Sequence, residues 1–175
     1  MEVDAILIRK MKNGDSAAVD KFVRKYYEDI YSYCYRKLIN KVMAEDVAQE
    51  TFIRFFEAFE QYVHKGKVKN YLYVIAGNLC KNCFKRKVPE ALDMVKQEIC
   101  LEESFEEVDT HISIEQALDM LAEDQREVIL LHYYQSLKLR EVAEILDISL
   151  SLVKYRLKQG TVNLKKMLRR EDFCL

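Results

Sequence analysis

The sequence predicts an all-α protein built as two small helical domains joined by an acidic linker, the C-terminal domain being a helix-turn-helix. Three observations lead there. One Pro and four Gly in 175 residues leave little punctuation for a many-turned β protein. Tyr, Leu, Lys and Glu recur at helical rather than alternating spacing. Half of the residues are apolar, enough for a real core, and the length suits one or two small domains.

The elements follow in order. A first helix is expected over 3–12, closed by Asn13-Gly14-Asp15. Asp15 can accept from the free amides of a second helix, 16–39. That helix places Phe22, Tyr26, Ile30, Tyr33 and Leu38 near one face. After a break at Asn40-Lys41, a third helix over 43–62 carries Phe52, Phe55, Phe56, Phe59 and Tyr62. Residues 63–69 form a polar loop with Gly66 and three lysines. A fourth helix, 70–87, ends before Pro89, because the residue preceding a proline avoids the helical region. Residues 88–111 lack periodicity and read as the linker. Helices over 113–120, 124–134, 139–146 and 150–168 complete the set. The domains are thus 1–87 and 112–175.

Charge is unevenly placed behind a net value of −1. Residues 1–69 sum to +2, 70–87 to +4, 88–127 to −11 and 128–170 to +6, and Glu171 and Asp172 add −2. Two basic blocks separated by an acidic one suggest two contacts with a polyanion. The acidic block is a solvated linker or a track through a basic channel of a partner.

Other classes are set aside by what the sequence contains. The N-terminus Met1-Glu-Val-Asp-Ala has no charged-then-apolar layout, so no secretory signal is expected. The purely aliphatic runs reach about four residues, as at 128–131, against the roughly 20 of a spanning helix. A cytoplasmic protein is expected. Cys34, Cys80, Cys83, Cys100 and Cys174 are odd in number, which argues against a disulfide framework. Cys80-Lys-Asn-Cys83 has metal-like spacing but no second pair or neighbouring His to complete four ligands; small apolar residues on a helix account for it better. His64, His111 and His132 are scattered, and no nucleophile–base pair can be argued. No enzyme, cofactor or metal is expected.

Residues 139–157 read Leu-Arg-Glu-Val-Ala-Glu-Ile-Leu-Asp-Ile-Ser-Leu-Ser-Leu-Val-Lys-Tyr-Arg-Leu. Val142, Ile145 and Leu146 form the inner face of one helix; Leu150, Val153 and Leu157 form that of the next. Ala143 is small where the two approach, Asp147 tolerates the left-handed turn conformation, and Ser149 can cap the second helix. This is the helix-turn-helix pattern, whose second helix enters the major groove. Its outer face carries Lys154, Tyr155, Lys158 and Gln159, which suit base edges and phosphates. Lys138 and Arg140 suit phosphates. A plain helical hairpin with a solvated basic face is the alternative.

Residues 44–56 read Ala-Glu-Asp-Val-Ala-Gln-Glu-Thr-Phe-Ile-Arg-Phe-Phe. Asp46, Gln49, Glu50 and Ile53 fall at i, i+3, i+4 and i+7 and share one helix face. Acidic and amide groups beside an apolar one suit protein docking; an ordinary solvated face is the alternative.

Taken in order, these segments resemble the extracytoplasmic-function sigma factors, the small group-4 members of the sigma-70 family that lend RNA polymerase its promoter specificity. Residues 44–54 look like their core-binding helix. Asn70-Tyr-Leu-Tyr-Val-Ile-Ala-Gly-Asn-Leu-Cys-Lys-Asn looks like the helix that reads the minus-ten element. Leu121-Ala-Glu-Asp-Gln-Arg-Glu-Val-Ile-Leu-Leu-His-Tyr-Tyr with the helix-turn-helix resembles the region that binds the minus-35 element. The likeness covers nearly the whole chain except the linker.

The resemblance implies roles position by position. Asp46, Gln49, Glu50, Ile53 and Arg54 match the face that docks on the polymerase. Asn78 matches a residue lining a pocket for a flipped promoter base, and loop 63–69 the segment closing over it. Tyr71 stands where Trp is usual, a ring able to wedge against unpaired duplex. Lys81, Asn82 and Lys85 lie along the same helix. Lys154, Tyr155 and Lys158 match base-reading positions, and Arg156 matches an Arg that contacts phosphate or supports the helix. Two departures stand out. Val74 replaces a usual Arg, which removes one phosphate contact. Gln159-Gly160-Thr161 replaces a basic, Ala-containing stretch, and Gly160 inside a helix costs about 1 kcal/mol against Ala.

The implied mechanism has both domains on core RNA polymerase, the linker running toward the product-RNA path, and the promoter read as minus-35 duplex and melted minus-ten DNA. Capture of an unstacked base trades a few kcal/mol of unstacking for pocket contacts, and aromatic and basic groups near Tyr71 and Tyr73 suit single strands. The modest net charge predicts weak binding of free protein to DNA. An anti-sigma factor, typically membrane-anchored, is the implied regulatory partner. The rival readings are a free-standing helix-turn-helix regulator, which leaves the face at Asp46 unexplained, and a protein-holding adaptor, which leaves the recognition helix unexplained.

Overall fold

The computed structural model describes residues 2–87 and 113–169, with side chains over 4–84 and 113–168. The expected linker, 88–111, lies outside the described residues, as does the side chain of Lys85. Every regular element among the described residues is helical, in the order α1 Glu2–Lys12, α2 Ser16–Leu38, α3 Lys41–Glu57, a 3-10 turn Phe59–Gln61, α4 Val68–Lys87, α5 Ile114–Asp119, α6 Glu123–Ile129 continued by a π turn Leu130–Tyr134, α7 Leu139–Leu146 and α8 Leu150–Arg169.

The boundaries come from local chemistry. The Asp15 carboxylate accepts from Ala18 N at 3.1 Å and opens α2. Ile39 closes α2 in the left-handed region, at φ 51°. A β-branched residue is strained there, and this one is exposed. Asn40 Oδ1 then caps α3 through Met43 N at 2.9 Å. The third helix stops at Glu57, short of the expected 62, because the chain tightens into the 3-10 turn that tucks Phe59 into the core. The fourth starts at Val68, two residues early, since Val68 is itself buried. The sixth loosens into a π turn that brings Leu130 and Leu131 inward.

The N-terminal half is organised on aromatic rings. Phe22 and Phe55 are fully buried and stack with centroids 4.9 Å apart. Phe52, Phe56, Phe59, Tyr62 and Tyr71 surround them. Such pairs add about 0.5–1.5 kcal/mol each beyond their burial. Asp4 binds Tyr26 at 2.7 Å and pairs with Lys25, which ties α1 to α2. Cys34 and Cys80 are buried. Cys34 donates to Cys80, so the Cys34 thiol is pushed up by that bond and by burial, and Cys80 is held down by it.

The C-terminal half has a small core of its own, Leu118, Leu121 and Ile129 against Leu157, Leu164 and Met167. Gly160 is what lets α8 lie on α6: a Cβ there would stand 2.8 Å from Ile129 Cδ1 and 3.2 Å from Gln125 Cβ. Gly160 is therefore a packing residue, turned away from the outer face of α8. Val128, Leu131, Leu137, Val142, Ile145 and Val153 belong instead to the cluster that runs on into the N-terminal half.

Polar contacts also join the halves. Glu127 of α6 is buried against α2, its Oε1 accepting from Lys37 Nζ at 2.6 Å and Tyr33 Oη at 3.0 Å. Arg126 donates to the Lys37 carbonyl at 3.1 Å. Tyr73 donates to Gln135 at 2.7 Å, and the Arg36 guanidinium lies 4.0 Å over the Tyr134 ring. Removing one partner of a buried charge pair of this kind costs about 3–5 kcal/mol, because the other is left buried and unpaired.

Candidate nucleic-acid and protein interfaces

The helix-turn-helix is set by its turn. Asp147 adopts φ 52°, ψ 46°, and its N–H reaches the Ala143 carbonyl, which suits the short polar side chain found there. Ile148 N returns to the same carbonyl at 3.1 Å. Ser149 Oγ accepts from Leu152 N at 3.2 Å and opens α8. At the other end, Glu141 accepts from Lys138 N at 2.8 Å and fixes the start of α7. Val142, Ile145 and Val153 are buried in the angle between the helices.

This leaves the leading face of α8 to solvent. Lys154, Tyr155 and Lys158 are exposed, Tyr155 by 60 %, and Gln159 is half-buried beside them. Lys138 and Arg140 are exposed at the α7 end. Arg156 points inward instead. Its Nε lies 3.0 Å from the Asp124 carboxylate of α6, off the line of the N–H, so the contact is ionic rather than hydrogen-bonded. Arg156 thus braces α8 against α6.

On α3, Asp46, Gln49 and Ile53 are exposed and Glu50 is half-buried. Arg54 pairs with Glu50 at 2.8 Å, one turn apart. Val47, Ala48, Thr51 and Phe55 on the opposite side are buried, so the outer face is held rigidly. Ile53, 52 % exposed, puts an apolar group on this outer face.

A third feature lies at the start of α4. Ala58, Gln61, Tyr62, Val63, Lys65, Lys67 and Tyr71 line an open cleft of about 500 Å³. Tyr71 stacks on Tyr62, centroids 5.5 Å apart at 22°, and Lys65 and Lys67 stand at its rim, both exposed. The cleft offers an aromatic floor and a cationic edge, the combination that holds an unstacked base beside its phosphates. Asn78 is exposed on α4, two turns on from Tyr71 and on the same face, about 10 Å along the axis; it is not part of the lining. Lys81 and Asn82 are exposed, and Val74 is half-buried against the core.

Sequence reasoning missed Gln61 and Tyr62 as cleft residues. Tyr62 reads as the last ring of an apolar run, and only the 3-10 turn swings it toward Tyr71. It also missed Glu144, which pairs with Lys67 at 2.6 Å from the other half of the molecule. Among the described residues, no group of three or more His, Cys, Asp or Glu is placed to hold a metal ion, and no helix is long and apolar enough to cross a membrane.

Comparison with known proteins matches the two halves separately. Residues 22–88 fit Sigma-70 region 2, and residues 111–164 fit Sigma-70, region 4. The chain is 34 % identical to the ECF RNA polymerase sigma factor SigW of Bacillus subtilis over 93 % of its own length and 95 % of that protein. It is 28 % identical to the RNA polymerase sigma factor YlaC of the same organism, over 89 % of its length and 94 % of the relative. Among solved structures, CnrH in complex with the cytosolic domain of CnrY shares the fold with a TM-score of 0.72, at 17 % identity, covering 95 % of this chain and 97 % of that one.

Proposed function

The chain belongs to the extracytoplasmic-function sigma factors, which direct RNA polymerase to promoters, and on that premise we propose how its residues divide the work. The face of Asp46, Gln49, Glu50, Ile53 and Arg54 docks on core RNA polymerase, with Ile53 as the apolar centre and the Glu50–Arg54 pair as a polar rim. The cleft at Tyr62 and Tyr71 takes a flipped minus-ten base while Lys65 and Lys67 meet its backbone. Asn78, Lys81, Asn82 and Lys85 track the same strand along α4. Lys154, Tyr155, Lys158 and Gln159 read the minus-35 duplex in the major groove, Lys138 and Arg140 hold its phosphates, and Arg156 keeps α8 in place.

The domain limits 1–87, 88–111 and 112–175 belong to this reading. So do a cytoplasmic location, the absence of catalysis and a regulating anti-sigma factor anchored at the membrane. The sigma factor RpoE of Bartonella quintana has been solved with the anti-sigma factor NepR, and CnrH with the cytosolic domain of CnrY; a regulator of the same kind is proposed here.

One observation carries the reading: a single chain presents both an open recognition helix, with Tyr155 60 % exposed, and a separate docking face centred on Ile53 at 52 %. In-vitro transcription with core polymerase on a random promoter library tests it. New start sites sharing two sequence elements are expected; their absence defeats the reading. Glu50→Lys should weaken capture of core polymerase, and a variant that binds as the wild type does would favour the free-standing regulator.

A further inference from the structure

We propose that the free chain is held shut by a latch, the Glu127 carboxylate of α6 seated in a slot on the N-terminal half formed by Lys37, Tyr33 and Gly77, and that the slot must empty before the chain can engage a promoter. The inference rests on the promoter reading above and adds a control that the reading does not contain.

The slot is built for a carboxylate. Lys37 is 1 % exposed although it is charged, and its ammonium meets Glu127 at 2.6 Å. Tyr33, fully buried, gives its hydroxyl to the same oxygen at 3.0 Å. Gly77 of α4 supplies the room: a Cβ there would stand 3.1 Å from Tyr33 Oη and 3.7 Å from Glu127 Oε1. Lys81 reaches the second carboxylate oxygen at 4.0 Å, and Glu123 adds a weaker contact to Lys37 at 3.9 Å.

Closure sets carboxylates beside two of the cations assigned to DNA. Glu144 of α7 holds Lys67 Nζ with both oxygens, at 2.6 and 2.7 Å, and lies 3.5 Å from the Asn70 amide. Glu127 stands more loosely beside Lys81, at 4.0 Å. Carboxylates of the C-terminal half thus stand on lysines to which the reading assigns phosphates. Geometry gives a second reason. Elements named minus-ten and minus-35 are about 25 base pairs apart, on the order of 80 Å of duplex at 3.4 Å per step. Here α4 packs directly on α7, at the roughly 10 Å spacing of neighbouring helices, and α7 packs on α8. The two reading helices cannot span a promoter without parting.

Small-angle scattering of the full chain tests the latch. A compact chain of 175 residues has a radius of gyration of about 16 Å, and the unpacked pair of domains exceeds this. Glu127→Lys places like charges in the slot; it should enlarge the radius by several Å with helical content by circular dichroism unchanged. The exchanged pair Lys37→Glu with Glu127→Lys should bring the radius back. Apparent affinity for core polymerase should rise roughly ten-fold in Glu127→Lys, as expected when the competent state is a tenth of the free population. A Glu127→Lys chain as compact as the wild type overturns the latch, as does an exchanged pair that stays open. Opening without a gain in affinity for core overturns its inhibitory role. Scattering is read on the chain alone, so it reports on the latch even where the promoter library yields no start sites.

Discussion

The two halves of the molecule reach a helical fold by different means. The N-terminal half closes around large rings, with Phe22, Tyr33, Phe55 and Tyr73 fully buried and an aromatic network running from α2 to the start of α4. Among the described residues, the C-terminal half has a small private core of Leu118, Leu121 and Ile129 against Leu157, Leu164 and Met167, and turns Val128, Leu131 and Val142 into the shared cluster. A domain of about 60 residues buries a smaller share of its surface than a larger one and is marginal alone. The C-terminal half is therefore the one that leans on its neighbour. Parting the halves costs it more than it costs the aromatic domain.

That asymmetry can be broken from either side. The largest effect belongs to Phe55→Ala, which removes the ring on which Phe22, Phe59, Tyr62 and Tyr71 rest. A loss of about 3–5 kcal/mol is expected, read by urea unfolding, together with loss of the cleft at Tyr62 and Tyr71. Gly160→Leu attacks the weaker half, where even a Cβ stands 2.8 Å from Ile129. Overpacking of about 1–3 kcal/mol is expected, seen as an earlier thermal transition of the C-terminal half while the aromatic half melts unchanged. A single shared transition would instead show that the halves unfold as one unit.

Lys138→Ala leaves both cores alone. It should weaken duplex binding evenly across sequences and flatten the salt dependence by about one unit of log–log slope, the signature of one phosphate contact. The smallest effect runs the other way. Ile39 holds φ 51° at the end of α2 while 56 % exposed. Ile39→Asn relieves a conformation that costs a β-branched residue about 1–2 kcal/mol and should raise the melting temperature by about 2–4 °C.

Most local decisions were legible in the residues. Asp15, Ser149 and Asp147 act at the ends and turn where their side-chain chemistry places them, because a cap or a left-handed turn is settled within a few residues. Periodicity placed every described helix to within a few residues. The shortened third helix was the main exception, since Phe59 answers to the core rather than to its own spacing. The outward sides of α3 at Asp46 and of α8 at Lys154 were also legible, since residues one turn apart share a side of any helix. The basic sum over 128–170 was legible too, although Arg156 spends its charge on Asp124 rather than on solvent.

The sequence by itself thus determined an all-helical chain, its helix-turn-helix, the outward faces of α3 and α8 and the family to which it belongs. Only tertiary structure decided which side chains meet across the two halves. Lys37 and Glu127 are 90 positions apart, and each alone reads as an ordinary surface charge. Gly160 reads as a flaw in a helix, yet it leaves room for a neighbouring helix, as Gly77 does for a buried carboxylate. Caps and faces rest on the short-range geometry of one helix, which sequence encodes directly. Burial of a charge depends on what a distant helix brings to it, and that is fixed only when the chain has packed.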